Sequence, residues 1–470
     1  MQLSRRNFIG GMAALGAFAG CRTSWPCRRP DLVFGVVSDI HLTTPESCWL
    51  LERSFLYFRD RGVDAVMIPG DLSDYGTKSG WELLKCTWDR VFAGTGVVPL
   101  FCTGNHDRDG WTYDDMAADM RANGCDGRDA VKTLGIERTW KEVFGEPWEP
   151  IGVKSVKGYD FISVQYGCER QFADWMAAHG DRFRGTKPFF HFQHLPEKGT
   201  TFDSFGWADR GVVKPVLERY PNCISFTGHT HTTFNDERAI WQGGYTVVSS
   251  PSLSYVGVPK GYENGGARRD GTAENAMPMI PDRLNLRGGQ GFVVSVFGDE
   301  MVVERRDLEE GVEGGEAWLV PLVAGGERPF GYEVREKRSK APEFPAGAKL
   351  RVRTGNTENR QGKWTIVIDC RFPSATIDDG TRVCDYEIAA VPVDGSKPLV
   401  KRFLSPAFAR LARFEPAEQH FWFDVRELPT DCDFVLEVRA RNCFGRCSRP
   451  LVSEVRRRML SASGVPGKAK

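Results

Sequence analysis

Apolar positions along the first 300 residues switch between two periods. Residues 32–38 form a short β-rich run, and residues 47–61 carry Leu50, Leu51, Phe55 and Phe58 at helical spacing. Residues 63–69 read as a strand, 79–92 as a helix and 97–103 as a third strand. Strands separated by helices predict βαβ units and a largely parallel core. Further strands are expected at 159–166, 188–192, 222–227 and 245–249, and residues 291–297 and 300–306 read as a hairpin around Gly298-Asp299.

Two stretches break this rhythm. Residues 107–150 are helical and Trp-rich, an insertion over one edge, and residues 255–290 hold many Gly, Pro and charged positions with little periodicity. A long aperiodic stretch inside a compact domain marks a binding loop or a floppy insertion, and a substrate-side loop is the favoured reading. After Asp307 the text becomes linker-like, and residues 348–455 read as short alternating strands without clear helices, a β-sandwich. The resulting map is an address at 1–30, an α/β domain at 31–307, a linker at 308–347, a sandwich at 348–455 and a disordered tail at 456–470. No internal repeat is visible.

Composition narrows the function classes. A chain of 470 residues is too long for one ordinary domain. Lys+Arg is 62 and Asp+Glu is 62, so there is no basic surplus and no nucleic-acid partner is expected. With 41% hydrophobic and 26% charged residues the chain is globular. Beyond the N-terminus no apolar run approaches the ~20 residues of a membrane-spanning helix, which excludes a polytopic membrane protein. The opening Ser4-Arg5-Arg6-Asn7-Phe8-Ile9, followed by small apolar residues to Gly20, resembles a twin-arginine export signal. Phe18-Ala19-Gly20-Cys21 resembles a lipoprotein box with Cys21 lipidated, whereas Ala17-Phe18-Ala19 fits an ordinary signal peptidase. The first gives a membrane tether and the second a soluble protein. Both place the chain in a bacterial cell envelope, as a periplasmic or membrane-anchored protein. There are 13 cysteines and no CxxC, so a cysteine zinc site is not expected, although an exported chain can keep disulfides.

The chemistry lies in five clusters: Asp39-Ile40-His41, Gly70-Asp71, Gly104-Asn105-His106-Asp107, His194-Leu195-Pro196 and Gly228-His229-Thr230-His231. The first three each follow an expected strand. Asp39 to Asp71 is 32 residues and Asp71 to Asn105 is 34, about one βαβ unit each. Successive parallel strands then deliver three loops to one carboxyl edge, where open α/β sheets bind ligands. Two carboxylates, one amide and four imidazoles suit zinc, manganese or iron, and suit calcium poorly. Seven ligands exceed one tetrahedral ion and fit two ions with a bridging carboxylate. His194, which precedes x-Pro, is preferred as a ligand to His191, which sits along a strand. His179 and His420 lie outside every motif.

The order D-x-H, G-D, G-N-H-[DE], H, G-H-x-H resembles the calcineurin-like metallophosphoesterase family over residues 31–307, every block being matched. The resemblance implies an αββα core and two divalent cations, with Asp39, His41, Asp71 and His231 on one, Asp71, Asn105, His194 and His229 on the other, and Asp71 as the bridge. It makes His106 the non-ligand histidine that contacts phosphate or protonates the leaving group. It implies hydrolysis of small phosphomonoesters or phosphodiesters by in-line attack of a hydroxide held between the cations. Asp107 is read as a support that orients an imidazole. Residues 434–448 resemble the late strands of a fibronectin type III domain, with Phe434 in place of its tyrosine and Cys370 where a core tryptophan is common. Such a module suggests spacing, surface attachment or glycan contact. Phe421-Trp422-Phe423 supplies core or, alternatively, a sugar platform. The competing reading of the whole chain is a non-catalytic envelope adhesin that retains the fold, which would be expected to have lost ligands.

Overall fold

The computed structural model describes residues 28–122, 124, 126–206, 208–258, 261–264, 286–322, 326–358, 364–429 and 432–456. The export signal with Cys21, Arg268, Arg269 and Arg283 of the Gly-rich stretch, and the tail from 457 lie outside the described residues.

In chain order the first half runs β1 (Leu32–Val36), α1 (Cys48–Asp60), β2 (Ala65–Pro69), α2 (Lys78–Phe92) and β3 (Val98–Cys102). Four short helices follow: α3 (Asn105–Asp109), α4 (Asp114–Ala122), α5 (Val131–Leu134) and α6 (Ile136–Phe144). Then come β4 (Ile151–Val156), β5 (Tyr159–Val164), α7 (Glu169–His179), β6 (Phe189–Gln193), α8 (Val213–Leu217), β7 (Cys223–Thr227), β8 (Ile240–Gln242) and β9 (Thr246–Ser249). The part closes with β10 (Gln290–Val296), β11 (Glu300–Asp307), β12 (Val312–Glu313), β13 (Trp318–Pro321) and α9 (Tyr332–Arg338).

These strands form two sheets. One is ordered β12-β11-β10-β1-β2-β3, with β13 also on β11, and the other β4-β5-β6-β7-β9-β8. The inner strands β1, β2 and β3 are parallel, as are β5, β6, β7 and β9. β2, β6 and β7 are buried along their whole length, as strands covered on both faces must be. Between the sheets Phe34 meets Phe161, Phe190 and Phe226 edge-on at 5.4, 5.1 and 5.6 Å. Phe55, Phe58, Trp81 and Trp88 of α1 and α2 seal the outer face of the first sheet, and Phe172, Met176 and Leu217 of α7 and α8 that of the second. The layering is αββα. The 107–150 insertion packs on α2 through Trp140, 5.4 Å from Trp81.

Part of the stretch read as linker is core. β13 pairs with β11, and Trp318 is buried there. Four residues of alternating exposure (Trp-Leu-Val-Pro) are too short a run to stand out in sequence. β4, a half-exposed edge strand, escapes notice for a similar reason.

The C-terminal region consists of two antiparallel sheets. β14 (Arg351–Glu358), β15 (Trp364–Pro373) and β18 (Glu418–Asp424) form one, in the order β14-β15-β18. β16 (Asp385–Pro392), β17 (Leu399–Leu404), β19 (Phe434–Arg441) and β20 (Leu451–Val452) form the other, in the order β17-β16-β19-β20. One core joins them, with Tyr386, Phe403 and Phe421 stacked at 5.2 and 5.6 Å. Phe421, Trp422 and Phe423 are all buried, so they supply packing and present no sugar platform. No disulfide joins any two of the ten cysteines among the described residues.

This region is not spaced away from the first half. Thr233 Oγ1 donates to the carbonyls of Phe408 and Ala409 at 3.1 and 3.2 Å, and Asn235 Nδ2 to those of Ala407 and Phe408 at 3.3 and 3.0 Å. Gln290 joins the latch, its amide donating to the Ala409 carbonyl at 2.9 Å and accepting from Phe234 N at 2.9 Å. The Arg410 guanidinium pairs with Asp307 at 2.7 Å, both groups buried.

Candidate metal centre

The two sheets present their carboxyl ends to the same edge, and five loops leave there. Asp39 and His41 follow β1, Asp71 follows β2, Asn105 opens α3 after β3, His194 follows β6, and His229 and His231 follow β7. All seven residues singled out as ligands meet. His229 N donates to both oxygens of Asp39 at 3.1 Å. His231 Nε2 lies 3.1 Å from Asp39 Oδ1, and His194 Nε2 lies 2.8 Å from Asn105 Oδ1 and 3.2 Å from Asp71 Oδ2. His41 Nε2 lies 3.7 Å from that same Asp71 oxygen.

The backbone is strained to achieve this. Among the described residues seven non-glycine positions have positive φ, and five of them are Asp39, His41, Asp71, His229 and His231. Left-handed backbone costs an L-residue about 1–2 kcal/mol each, and such strain clusters where a site dictates geometry. Gly70, at φ 92°, leaves room for the His194 ring, and a side chain on Gly104 would collide with the Asp71 carboxylate.

Hydrogen bonds fix which ring nitrogens face inward. His194 Nδ1 lies 2.9 Å from the Pro69 carbonyl, and His231 Nδ1 lies 3.0 Å from the Tyr255 carbonyl. A carbonyl only accepts, so both Nδ1 atoms carry hydrogen and both Nε2 atoms of the neutral rings turn lone pairs inward. His41 Nδ1 is 3.0 Å from Asp74 Oδ1, which fixes its tautomer the same way. The inward nitrogens then face acceptors: His41 Nε2 is 3.2 Å from His231 Nε2, and His194 Nε2 is 3.2 Å from His229 Nδ1. Lone pairs and carboxylates at such distances repel unless protons or cations stand between them.

The proton affinities express the same demand. Burial alone would raise the Asp71 carboxyl, but His194, His106 and His41 hold it well below the ordinary range. Burial would lower His194, yet Asp71 and Asp39 push it up to about 9, so without a cation this ring captures a proton in its place. Burial, with His194 beside it, lowers His229 to about 4, which keeps it a neutral donor of electrons. Three groups of donor atoms could each hold an ion: Asp39 with His41 and His231, His41 with Asp71 and His106, and Asp71 with His194 and His229. The oxygen and nitrogen donor set and the shared Asp71 fit two divalent cations.

His106 sits at the margin. Its Nδ1 lies 3.0 Å from the Asp74 carbonyl and 3.1 Å from Asp74 Oδ1. That leaves Nε2 for a cleft of 960 Å³, whose floor includes Asp71, Asn105, His229 and His231.

Asp107 behaves differently from the expectation that it orients an imidazole. Its oxygens accept from Leu72 N (3.0 Å), Ser73 N (2.8 Å), Gly104 N (2.7 Å) and Trp81 Nε1 (2.8 Å). It ties the Asp71 loop to the Asn105 loop and fixes backbone. Burial, then Asp71, raises its carboxyl to about 6. The residue that orients imidazoles is Asp74, which serves both His41 and His106. The signal for it was a second carboxylate three residues after Asp71. Tyr255 and Tyr113 were also missed. Tyr255 lies 4.1 Å from the His231 ring, and the Tyr113 hydroxyl accepts from Asn105 Nδ2 at 3.3 Å, which turns Asn105 Oδ1 toward His194. Nothing local in the sequence marks either. His191 points away from the centre, with Nδ1 2.8 Å from Ser225 Oγ.

Residues 32–233 match the family model of calcineurin-like phosphoesterases. Among solved structures the chain is similar to GAP50, the anchor in the inner membrane complex of Plasmodium, at 12% identity over 64% of this chain and 90% of that one, with a TM-score of 0.37. It is similar to the purple acid phosphatase PPD1 from yellow lupin seeds at 13% identity, over 62% of this chain and 55% of that one, TM-score 0.35. A third similar structure is a conserved Streptococcus pneumoniae protein described as a predicted phosphoesterase, at 14% identity over 62% and 97%, TM-score 0.27. No curated protein matches this chain. The α/β half is a calcineurin-like core, followed by antiparallel sheets.

Proposed function

We propose that this protein hydrolyses phosphate esters at a pair of divalent cations held where the carboxyl ends of its two sheets meet. The observation that carries the reading is the convergence of inward lone pairs from His41, His194 and His231 on the carboxylates of Asp39 and Asp71, beside a cleft open to solvent. Asp39, His41, Asp71 and His231 would hold one cation, and Asp71, Asn105, His194 and His229 the other. Zinc, manganese and iron all suit this donor set. When bound, such a pair stabilises charge on the attacking and leaving oxygens of an in-line displacement at phosphorus.

The protein's own residues do the remainder. In hydrolysis a water oxygen bonds to phosphorus, the ester P–O bond breaks, and the departing oxygen takes up a proton. His106, held by Asp74 through Nδ1, is placed to contact a phosphoryl oxygen and to deliver that proton from Nε2. Asp74 fixes the ring so that no reorientation is needed during reaction. The Arg5-Arg6 leader supports action in the cell envelope, either free or tethered through Cys21.

The test is metal analysis of the full chain, coupled to a panel of phosphomonoesters and phosphodiesters assayed with manganese, zinc and iron. Two ions per chain and turnover of at least one ester class are expected. Two bound ions with no ester hydrolysed would defeat the catalytic reading, and a chain that takes up no ion would defeat the centre itself.

A further inference from the structure

The cleft above the centre is walled by aromatic rings: Tyr113, Phe202, Phe205, Tyr255 and Tyr332. Phe205 is 73% exposed and Tyr113 is 37% exposed, so both present large apolar faces to water at the cleft. Phe205 does not dangle. It follows a turn in which Ser204 Oγ donates to the Thr201 carbonyl at 2.6 Å and accepts from Thr200 N at 2.9 Å, while Phe202 N donates to the Arg238 carbonyl at 3.0 Å. Thr200, Thr201 and Ser204 are fully buried. A rigid, hydrogen-bonded turn thus holds an aromatic ring out in solvent beside a polar floor. Tyr113 lines the same cleft, 5.5 Å from the His106 ring.

The charge of the wall is equally informative. Arg238 is the only Arg or Lys among the described residues lining the cleft. It is committed to Asp236, with Nε and Nη2 at 2.9 and 2.7 Å, and lies 3.6 Å from the centre of the Phe202 ring. Asp203 adds a carboxyl to the same wall. Among the described residues of that wall, a substrate arm carrying further phosphates or carboxylates would find no uncommitted cation.

We infer that the cleft selects phosphate esters whose organic arm ends in a flat, uncharged aromatic group, gripped by Phe205 and Tyr113. This rests on the phosphoesterase reading and names the substrate class of that site. Aromatic contacts favour offset or edge arrangements and discriminate by about a factor of ten against an arm that lacks the ring.

The test separates binding from turnover. The manganese-loaded full chain is titrated with 2-phenylethylphosphonate and ethylphosphonate, and assayed with the corresponding phosphate esters. The two alcohols are of nearly equal acidity, so a rate difference reports the ring and not the leaving group. Wild type is expected to bind the phenylethyl phosphonate about tenfold tighter and to show a matching preference in kcat/KM. Phe205→Ala and Tyr113→Ala should each shrink that preference several-fold, while Trp364→Ala, which removes an exposed ring from the distant sandwich, should not. Equal binding of the two phosphonates by wild type, or a preference unchanged in both cleft variants, overturns the inference. Preferential phosphonate binding with no hydrolysis of these esters or of any mono- or diester in the panel would support the aromatic cleft and defeat the phosphoesterase reading on which catalysis depends.

Discussion

The two halves of this chain bury different things. At the sheet edge of the α/β half, Asp39, His41, Asp71, Asn105, His194 and His231 are all buried, and four of them, with His229, sit on strained backbone. In the C-terminal half the core between the sheets is aromatic and aliphatic, and none of the described positive-φ non-glycine residues lies there. One region therefore holds strained backbone around converging donors, an arrangement that cation binding would stabilise. The other is built for packing, and its 407–409 carbonyls accept hydrogen bonds from Thr233 and Asn235, two and four positions after His231. The contrast can be broken from either side.

Replacing Asp71 is expected to have the largest effect. Asp71→Ala removes the oxygen shared by both donor groups, so metal analysis should find both ions lost and ester turnover down by about 10³-fold or more. Because Asp71 also pairs with the proton-bearing His194 ring and accepts from His106 N, the metal-free variant should unfold at lower temperature than metal-free wild type. Retention of two ions would refute the shared position. His106→Ala comes next. It should lower turnover by about 10²-fold or more with metal content intact, since His106 is assigned no ligand role. Loss of metal in that variant would move His106 into the ligand set.

The sandwich should respond in the opposite currency. Phe403 stacks on both Tyr386 and Phe421, so Phe403→Ala should cost about 3–5 kcal/mol in denaturant unfolding while the folded fraction keeps its metal and turnover. A smaller and more telling effect belongs to the interface. Asn235→Ala removes the amide that donates to the Arg410 carbonyl and one of two donors to each of the Ala407 and Phe408 carbonyls, and should cost about 1–3 kcal/mol. Weaker cation binding in that variant, measured by titration, would show that the C-terminal half steadies the His231 loop. Unaltered cation affinity would confine the latch to stability.

Legibility followed the physics of each part. The ligand clusters could be read because a cation needs several donors at once, and strand ends supply them in short runs such as Gly-Asn-His-Asp. The αββα layers could be read because buried strands and amphipathic helices carry distinct periods. What stayed hidden depends on contacts distant in sequence. Asp107 and Asp74 are both carboxylates near ligands, and only the fold shows that the first binds backbone while the second binds rings. β13 was hidden because its partner β11 supplies most of the hydrophobic signal. The seating of 407–410 on 233–235 could not be seen, because carbonyl acceptors carry no sequence signature. The module read as serving spacing, surface attachment or glycan contact is also packed on the α/β half through those carbonyls.

The smallest effect is a slope, and it sharpens the contrast within the α/β half itself. Behind β6, away from the metal centre, His191, Ser225 and Glu197 form a fully buried chain, with His191 Nδ1 2.8 Å from Ser225 Oγ and Ser225 Oγ donating to Glu197 Oε1 at 2.6 Å. No cation is expected here, so burial prevails over the Ser225 hydrogen bond. It pushes the Glu197 carboxyl up to about 8 and the His191 ring down to about 3, leaving both neutral in between. A carboxyl raised on folding contributes stability that is whole below its unfolded value of ~4.5 and that drains away as pH rises toward 8. The depressed histidine acts in the opposite window, losing stability as pH falls from ~6.5 toward 3. Above pH 6.5 only Glu197 of this pair contributes, and its share of the loss should be at most about 1.4 kcal/mol for each pH unit between 6.5 and 8. Glu197→Gln holds the neutral form permanently, so its unfolding free energy should be flatter over that range and should exceed wild type at pH 8. A variant whose stability falls with pH as steeply as wild type would mean that Glu197 ionises in the folded chain at an ordinary pH, with water or His191 compensating its charge.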